Sequence, residues 1–367
     1  MGKGDIRAAL VAVTGELVAI RSTADRPDEL RRALELVLGL VGPGFTVERF
    51  ESRRKPSALV YAGAARPRFR VVLNAHLDVV PGSDEQFRPR RDGDRLCGRG
   101  AHDMKSAAVV MATVFRDLAR DLPYPLGLQL VTDEEVGGYD GTAHQLDHGV
   151  NAGFAVIGEQ SALRVVTESK GIAQVRLHAS GVAAHAAYPW LGRNALLTLT
   201  AAVEAVVRRY PVPVAESWTT TVTVARMDTG NRAVNQVPAD ATAWLDVRFP
   251  PEDTDFAGRG RDEVARHLRA VAGGEVSVHV DNFGLPHAVE AGSADVAALR
   301  RAARDAGYSG ELLRKHGSSD SRHFSACGID AVIFGPGGDG QHGPAEYLDV
   351  RTVEPYRDAL LSFLRSL

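Results

Sequence analysis

Five short stretches of the chain carry side chains able to bind a cation or move a proton. Residues 71–82, VVLNAHLDVVPG, set His76 and Asp78 in an otherwise apolar run, and the two-residue period of a strand points them to the same side. A satisfied core His–Asp pair explains this as well as a metal-bound imidazole whose second nitrogen is held by a carboxylate. In GRGAHDMKSAAVVM, Asp103 lies just ahead of a helical pattern, as an N-cap or as a ligand, with His102 beside it. VTDEEVGGYDG carries Asp133, Glu134 and Glu135 off a buried strand into Gly137-Gly138. Glu159 follows the run FAVI, and His342 sits in GPGGDGQHGP after the run AVIF. Four separate apolar strands thus end in histidine or carboxylate, where open α/β sheets place their sites, and random solvated loops would not be expected to repeat that choice. The donors are oxygen and imidazole without sulfur, which suits a hard-to-borderline metal. Asp103, Glu135 and Glu159 supply three negative charges. With a bridging hydroxide they balance two divalent cations, and Glu134, left unligated, is placed to take the proton of that water.

The elements that must position these residues follow from apolar spacing. Residues 5–20, 27–42 and 105–121 read as helices, and 45–51, 57–62, 69–75, 126–132 and 154–157 as strands, with a helix-like segment at 141–148. From residue 171 the texture changes. An alternating strand at 172–181, a helix at 193–209, strands at 218–226 and 234–249, a helix at 259–272 and a strand at 275–282 give β-α-β-β-α-β, the ferredoxin-like order, on a sheet with one wet face. A helix at 293–307, a strand at 331–334 and a helix at 352–366 return to the first texture. The expected fold is α/β: a catalytic domain with a largely parallel sheet, residues 1–170 and 288–367, interrupted by an inserted ferredoxin-like α+β domain, residues 171–287.

Composition narrows the function classes. The chain has 367 residues, 44% hydrophobic and 24% charged, which suits a soluble globular protein with room for about two domains. A formal charge of −3 leaves no electrostatic footprint for nucleic acid or an anionic membrane. Cys97 and Cys327 lie far apart without CxxC spacing, which argues for a reducing compartment and against thiolate zinc. No signal-peptide pattern and no uncharged apolar run of about 18 residues is visible, so a cytoplasmic location without a membrane partner is expected. GPGGDG fits G-x-G-x-x-G but lacks a following helix pattern for a pyrophosphate, and there is no GxxxxGK[ST] or GxSxG. His144 and His148 lack the intervening glutamate of HExxH and read as a helix surface.

AHLDVVPG, GRGAHDMK, TDEEVGG, Gly158-Glu159 and the late HGP, in this order over nearly the whole chain, resemble the zinc aminoacylase and carboxypeptidase family that includes acetylornithine deacetylase, succinyl-diaminopimelate desuccinylase and glutamate carboxypeptidase. The resemblance implies two zinc or cobalt ions in the catalytic domain and a homodimer formed through the inserted one. It makes His76, Asp103 and Glu159 ligands of one ion, and Asp103, Glu135 and His342 ligands of the other. Asp78 would orient His76, Glu134 would be the general base, and the Asp103-Met104 peptide would be cis. Ser106 stands where relatives tend to carry Gly. In GVAAHAAYP, His185 matches a histidine that reaches across the dimer to stabilise the oxyanion. Asn235 and Arg248 match positions that bind the substrate carboxylate, and GSSDSR resembles a pocket-lining segment that makes Ser318 and Arg322 further substrate binders. Arg248 as a plain strand arginine and Arg322 in an ion pair are the competing readings.

Within that family, Glu at position 159 favours aminoacylase and carboxypeptidase types over dipeptidases. Desuccinylases tend to place arginine where this chain reads Glu168-Ser169-Lys170-Gly171, which leaves only Lys170 for a second substrate carboxylate. The expected activity is hydrolysis of the amide bond of an N-acyl amino acid, of deacetylase or desuccinylase type, with a carboxypeptidase or dipeptidase on small peptides as alternative. A non-catalytic binding relative would have to do without a use for Glu134 and five filled ligand positions.

Overall fold

The computed structural model describes residues 3–367. The chain divides into two compact units, one formed by residues up to Thr167 with Ala288–Arg314 and Ser319–Leu367, the other by Glu168–His287 with Lys315–Ser318. The return of four residues to the second unit has no signature in apolar spacing.

The heart of the first unit is four parallel strands, in the spatial order Leu126–Val131, Phe69–His76, Ala152–Ile157 and Asp330–Ile333. The antiparallel strands Lys55–Tyr61 and Thr46–Ser52 extend the sheet on one side. On the other, the unforeseen strand Val165–Ser169 is also antiparallel. The central strands are buried on both faces, which is why they read as near-continuous Val, Leu and Ala. One face is covered by helix Ser106–Leu118, itself almost wholly buried by the helices Lys3–Val18, Pro27–Val41 and Val353–Arg365. The short helix Ser321–Ala326 packs on the opposite face. Because the four strands run the same way, the residues leaving their carboxyl ends emerge along one edge. His76 is paired in register with Val131, and Ile157 lies beside both Asn74 and Ile333.

A further small sheet joins Gly338–Asp339, Tyr347–Asp349, Arg95–Cys97 and Arg90–Asp92. These strands of two or three residues are too short for a periodic signal, yet they fix the segment that carries His342.

The second unit is a four-stranded antiparallel sheet in the order Thr221–Asp228, Asp240–Phe249, Gly171–Ser180, Ser277–Gly284. It is covered by the helices Ala195–Arg209 and Arg261–Val271. Ala173, Val175, Leu177 and Ala179 point to the core while Gln174, Arg176 and His178 do not, the alternation expected of a sheet with one wet face. The strand predicted from residue 234 begins at Asp240. Residues before Pro238 instead pair with the His185 loop, where Ala186 donates to the carbonyl of Asn235 and Val237 to that of Ala184.

Lys105 explains how the segment after Asp103 is anchored. Its side chain is fully buried and donates from Nζ to the carbonyls of Leu17 (3.0 Å) and Ile20 (2.8 Å), closing the open end of the first helix. Burial pushes the ammonium down to about 7. The unfolded chain therefore holds this proton up to about pH 10.4 and the folded chain only to about 7, so stability rises with pH between the two. Lys105→Met should flatten that rise, read as the change in Tm between pH 7 and 9; equal slopes in both proteins would refute the assignment.

Candidate metal centre

The carboxyl edge of the parallel strands gathers the acids and histidines singled out in the sequence. His76, Glu134 and Glu159 each offer a ligand atom within 4.8 Å of the others, and so do Asp103, Glu135 and His342. The groups meet where His76 Nε2 lies 3.2 Å from Asp103 Oδ1, while His342 Nε2 lies 3.4 Å from Asp103 Oδ2 and 3.0 Å from Glu135 Oε2. Asp103 thus faces both histidines, one through each oxygen.

Asp103 owes its place to a break in the backbone. Residues 101–105 form one wide turn in which Asp103 (φ −114°, ψ 94°) and Met104 (φ −130°, ψ 30°) are not helical, and the peptide between them is cis. The helix starts at Ser106 with no side-chain cap, so Asp103 is not its N-cap. The buried Oγ of Ser106 has no hydrogen-bond partner among the described residues.

Asp78 has a larger part than orienting one imidazole. His76 Nδ1 donates to the main-chain carbonyl of Asp78 (3.1 Å), with the carboxylate at 3.6 Å, and this turns Nε2 toward Asp103. The carboxylate accepts the N–H groups of Glu134 (3.2 Å) and Glu135 (3.0 Å). One buried residue therefore sets both the imidazole and the two-acid loop. Asp133, the first of the three acids, turns away and accepts the N–H of Asp140 at 2.6 Å, pinning the far end of that loop.

The electrostatics fit cations. Burial, then Glu159, pushes the Glu134 carboxyl well above its usual range, and burial with Asp103 raises Glu135. Burial opposes charge on His76, but bonds to Asp103 and Asp78 outweigh it and hold the imidazole well above its ordinary value; bonds to Asp103 and Glu135 lift His342 to about 10. Carboxylates crowded in a partly desolvated pocket demand positive charge, and oxygen with imidazole donors suits zinc-like ions.

Five residues to which the sequence assigns no role in ligation support the cluster. Glu346 accepts the N–H groups of His102 and Asp103 and is paired with Arg99. Gln160 donates toward Asp103 Oδ2 (3.4 Å) and bonds Gln341, next to His342. Met104 Sδ accepts the N–H of His76. Their only signal was proximity in sequence to the donors.

The remaining candidates are less concentrated. Arg322 is buried; its Nη2 donates to the carbonyl of Gly137 at 2.6 Å and its guanidinium lies 5.8 Å from the Tyr139 ring, so it braces the turn after the acidic loop. In the second unit, His185 and Asn235 lie on paired segments. Arg248 is held by Asp246 on the same strand face (2.6 and 3.2 Å), the arrangement of a plain strand arginine, and Ser318 is half-buried.

A mostly parallel α/β sheet that gathers carboxylates and imidazoles at its carboxyl edge offers a metal site. The chain belongs to peptidase family M20/M25/M40, whose model matches residues 72–366. It is 35% identical over 240 residues to a probable carboxypeptidase of Aspergillus terreus, covering 61% of this chain and 54% of that protein, so it spans about half the length of that relative. A succinyl-diaminopimelate desuccinylase of Acidiphilium cryptum is 28% identical over 357 residues, 93% of both chains. A tripeptidase from Staphylococcus aureus superposes with a TM-score of 0.80 at 18% identity, covering 98% of both chains, a likeness of fold. Among the described residues no helix is long and apolar enough to cross a membrane, and Cys97 and Cys327 are free thiols.

Asp78→Ala should weaken metal binding by about 10–100-fold, the usual cost of losing a group that orients ligands. Competition with a chromophoric chelator measures this; parental affinity would mean that the acidic loop holds its shape without Asp78.

Proposed function

We propose that the protein is a dinuclear metal-dependent hydrolase that cleaves the amide bond of an N-acyl amino acid or related small substrate with a free carboxylate. The observation that carries this reading is the pair of donor groups meeting at Asp103. We assign His76, Asp103 and Glu159 to one ion and Asp103, Glu135 and His342 to the other, with zinc favoured and cobalt as substitute. Bound there, two divalent ions would polarise a substrate carbonyl and bring the pKa of a water toward neutrality.

The chain's own residues then have distinct tasks. Glu134 takes the proton of the attacking water and delivers it to the leaving amine. Asp78 keeps Glu134 in position through its main-chain N–H. His185 is proposed as the oxyanion donor, supplied by a partner subunit. Its Nδ1 accepts the N–H of Ala187 at 3.0 Å, which leaves the proton of the neutral ring on Nε2, the nitrogen that would donate. Asn235, Arg248, Ser318 and Arg322 are proposed to hold the substrate, Arg248 by exchanging Asp246 for the substrate carboxylate.

A homodimer through the second unit is supported by its surface. Val182, Tyr188, Trp190 and Leu191 are exposed on the loop around His185, and Val224 and Met227 are exposed on the edge strand Thr221–Asp228. Lys170 Nζ donates to the carbonyl of Thr219 (2.6 Å) and lies 5.5 Å from the Trp218 ring, so it is engaged within its unit. This favours an acyl group without a second carboxylate. The name of the Aspergillus relative favours a second reading, a carboxypeptidase on small peptides.

Zinc- or cobalt-loaded protein, set against the metal-stripped form, should hydrolyse one class in a panel of N-acetyl, N-succinyl and N-glutamyl amino acids and dipeptides. Two bound ions with no turnover on any of them would count against the reading. Glu134→Gln should take up the same number of ions while kcat falls by at least about 100-fold; lost metal would make Glu134 a ligand, and parental kcat would remove it as base. His185→Ala should lower kcat with metal content intact, and unchanged kinetics would exclude it as oxyanion donor.

A further inference from the structure

We propose that Arg99 and Glu346 are positioning residues for the metal site formed by Asp103, Glu135 and His342, and that they control the affinity of that site separately from its neighbour. The proposal rests on the two-metal reading above.

Glu346 Oε1 accepts the N–H groups of His102 and Asp103 (3.2 Å each), while its Oε2 takes Nη1 of Arg99 at 2.6 Å. Arg99 Nη2 donates to the carbonyls of His342 and Gly343, 3.1 Å each. The chain of contacts runs from the main chain of Asp103, through one carboxylate and one guanidinium, to the main chain of His342. These are two ligands of the same proposed ion, 239 positions apart in the sequence. Gln86 Nε2 adds a bond to the carbonyl of Gly343 (2.9 Å).

Both members of the pair are almost fully buried, at 3% and 1% side-chain exposure. A buried ion pair seldom adds net stability, because desolvation offsets the attraction, so its presence here calls for another account. His342 supplies it. This residue sits in the left-handed region (φ 60°), in a glycine-rich loop, with its side chain half exposed. The short strands on either side fix only the ends of this loop, and an imidazole at its tip keeps one position only if its backbone is tied down. Arg99 suits this tie, since a planar fork reaches a carboxylate and two carbonyls at once, whereas an ammonium offers a single point. Gly100, at φ 79° and with Val79 against its Cα, allows the turn that aims Arg99 inward. Of the two ligands this chain of contacts joins, Asp103 is shared by both proposed ions, while His342 is assigned to this ion alone.

The test titrates the metal-free full-length protein with Co2+, following visible absorption and calorimetry to resolve two binding events. The parent should bind two ions. Arg99→Lys should keep the first event and weaken the second by about 10–100-fold, and excess cobalt should restore kcat without changing KM. The double variant Arg99→Met/Glu346→Leu removes both charges together and so leaves no uncompensated buried charge. It should reproduce the selective loss, with circular dichroism of the metal-free form matching the parent. Two unchanged events in both variants would overturn the positioning role while leaving the two-metal reading intact. Equal weakening of both events in the folded variants would also overturn it, since a merely structural pair acts on the whole site. A parent that binds one ion overturns the two-metal reading and this proposal with it.

Discussion

The repulsion among carboxylates brought together at one sheet edge is the constraint on which the rest of the structure depends. Parallel strands lie about 5 Å apart and deliver their carboxyl ends to one line. The residues that follow them, Glu134, Glu135 and Glu159, are forced toward Asp103 whether or not their charges favour it. Such an arrangement persists only if cations balance the charge and if the loops cannot relax apart. His76 and His342 answer the first need in part, because each lies against Asp103 and its charged form is favoured there. Main-chain bonds answer the second.

Those main-chain bonds form a consistent pattern. Asp78 holds the N–H groups of Glu134 and Glu135, Asp133 that of Asp140, and Glu346 those of His102 and Asp103. Asp78 and Glu346, both buried, bind the backbone of acids in the donor cluster, and Asp133 pins the far end of the acidic loop. Carboxylates are suited to this because two oxygens can take two amides, and charge-assisted bonds in a poorly solvated interior are strong. The site therefore has two tiers of acids, and both follow from the same difficulty: a loop that carries negative charge needs donors turned away from the charge it presents.

The tiers differ in how far the sequence reveals them. The donors were legible because a charged residue at the end of a buried apolar strand breaks a strong pattern, and the parallel sheet was legible because its strands are apolar on both faces. The cis turn at Asp103 followed from resemblance, not from periodicity. The supporting tier was illegible for a physical reason. A side chain that binds main-chain groups places no demand on the partner's residue type, and the Glu346–Arg99 charge pair joins residues 247 positions apart, so neither leaves a local pattern. The small sheet that carries the His342 segment is hidden likewise, since strands of two or three residues have no period. Pairing also explains residues 234–239, a stretch read as the start of a strand that serves the His185 loop instead.

The two units carry different kinds of information. In the first, the reactive side chains are buried or half-buried and each has several partners, so changing one disturbs the others and the chemistry is narrowly specified. In the second, His185 is exposed and Asn235 contributes its carbonyl to a loop, while Arg248 is held by a neighbour on its own strand. Exposed residues with few partners can be exchanged at small cost in stability, usually within about 0.5 kcal/mol. A scaffold built this way keeps one reaction and varies its substrate. Relatives named carboxypeptidase and desuccinylase share the family with this chain. The crowded edge of the sheet is fixed by its own contacts, whereas the second unit presents side chains whose replacement the fold scarcely registers.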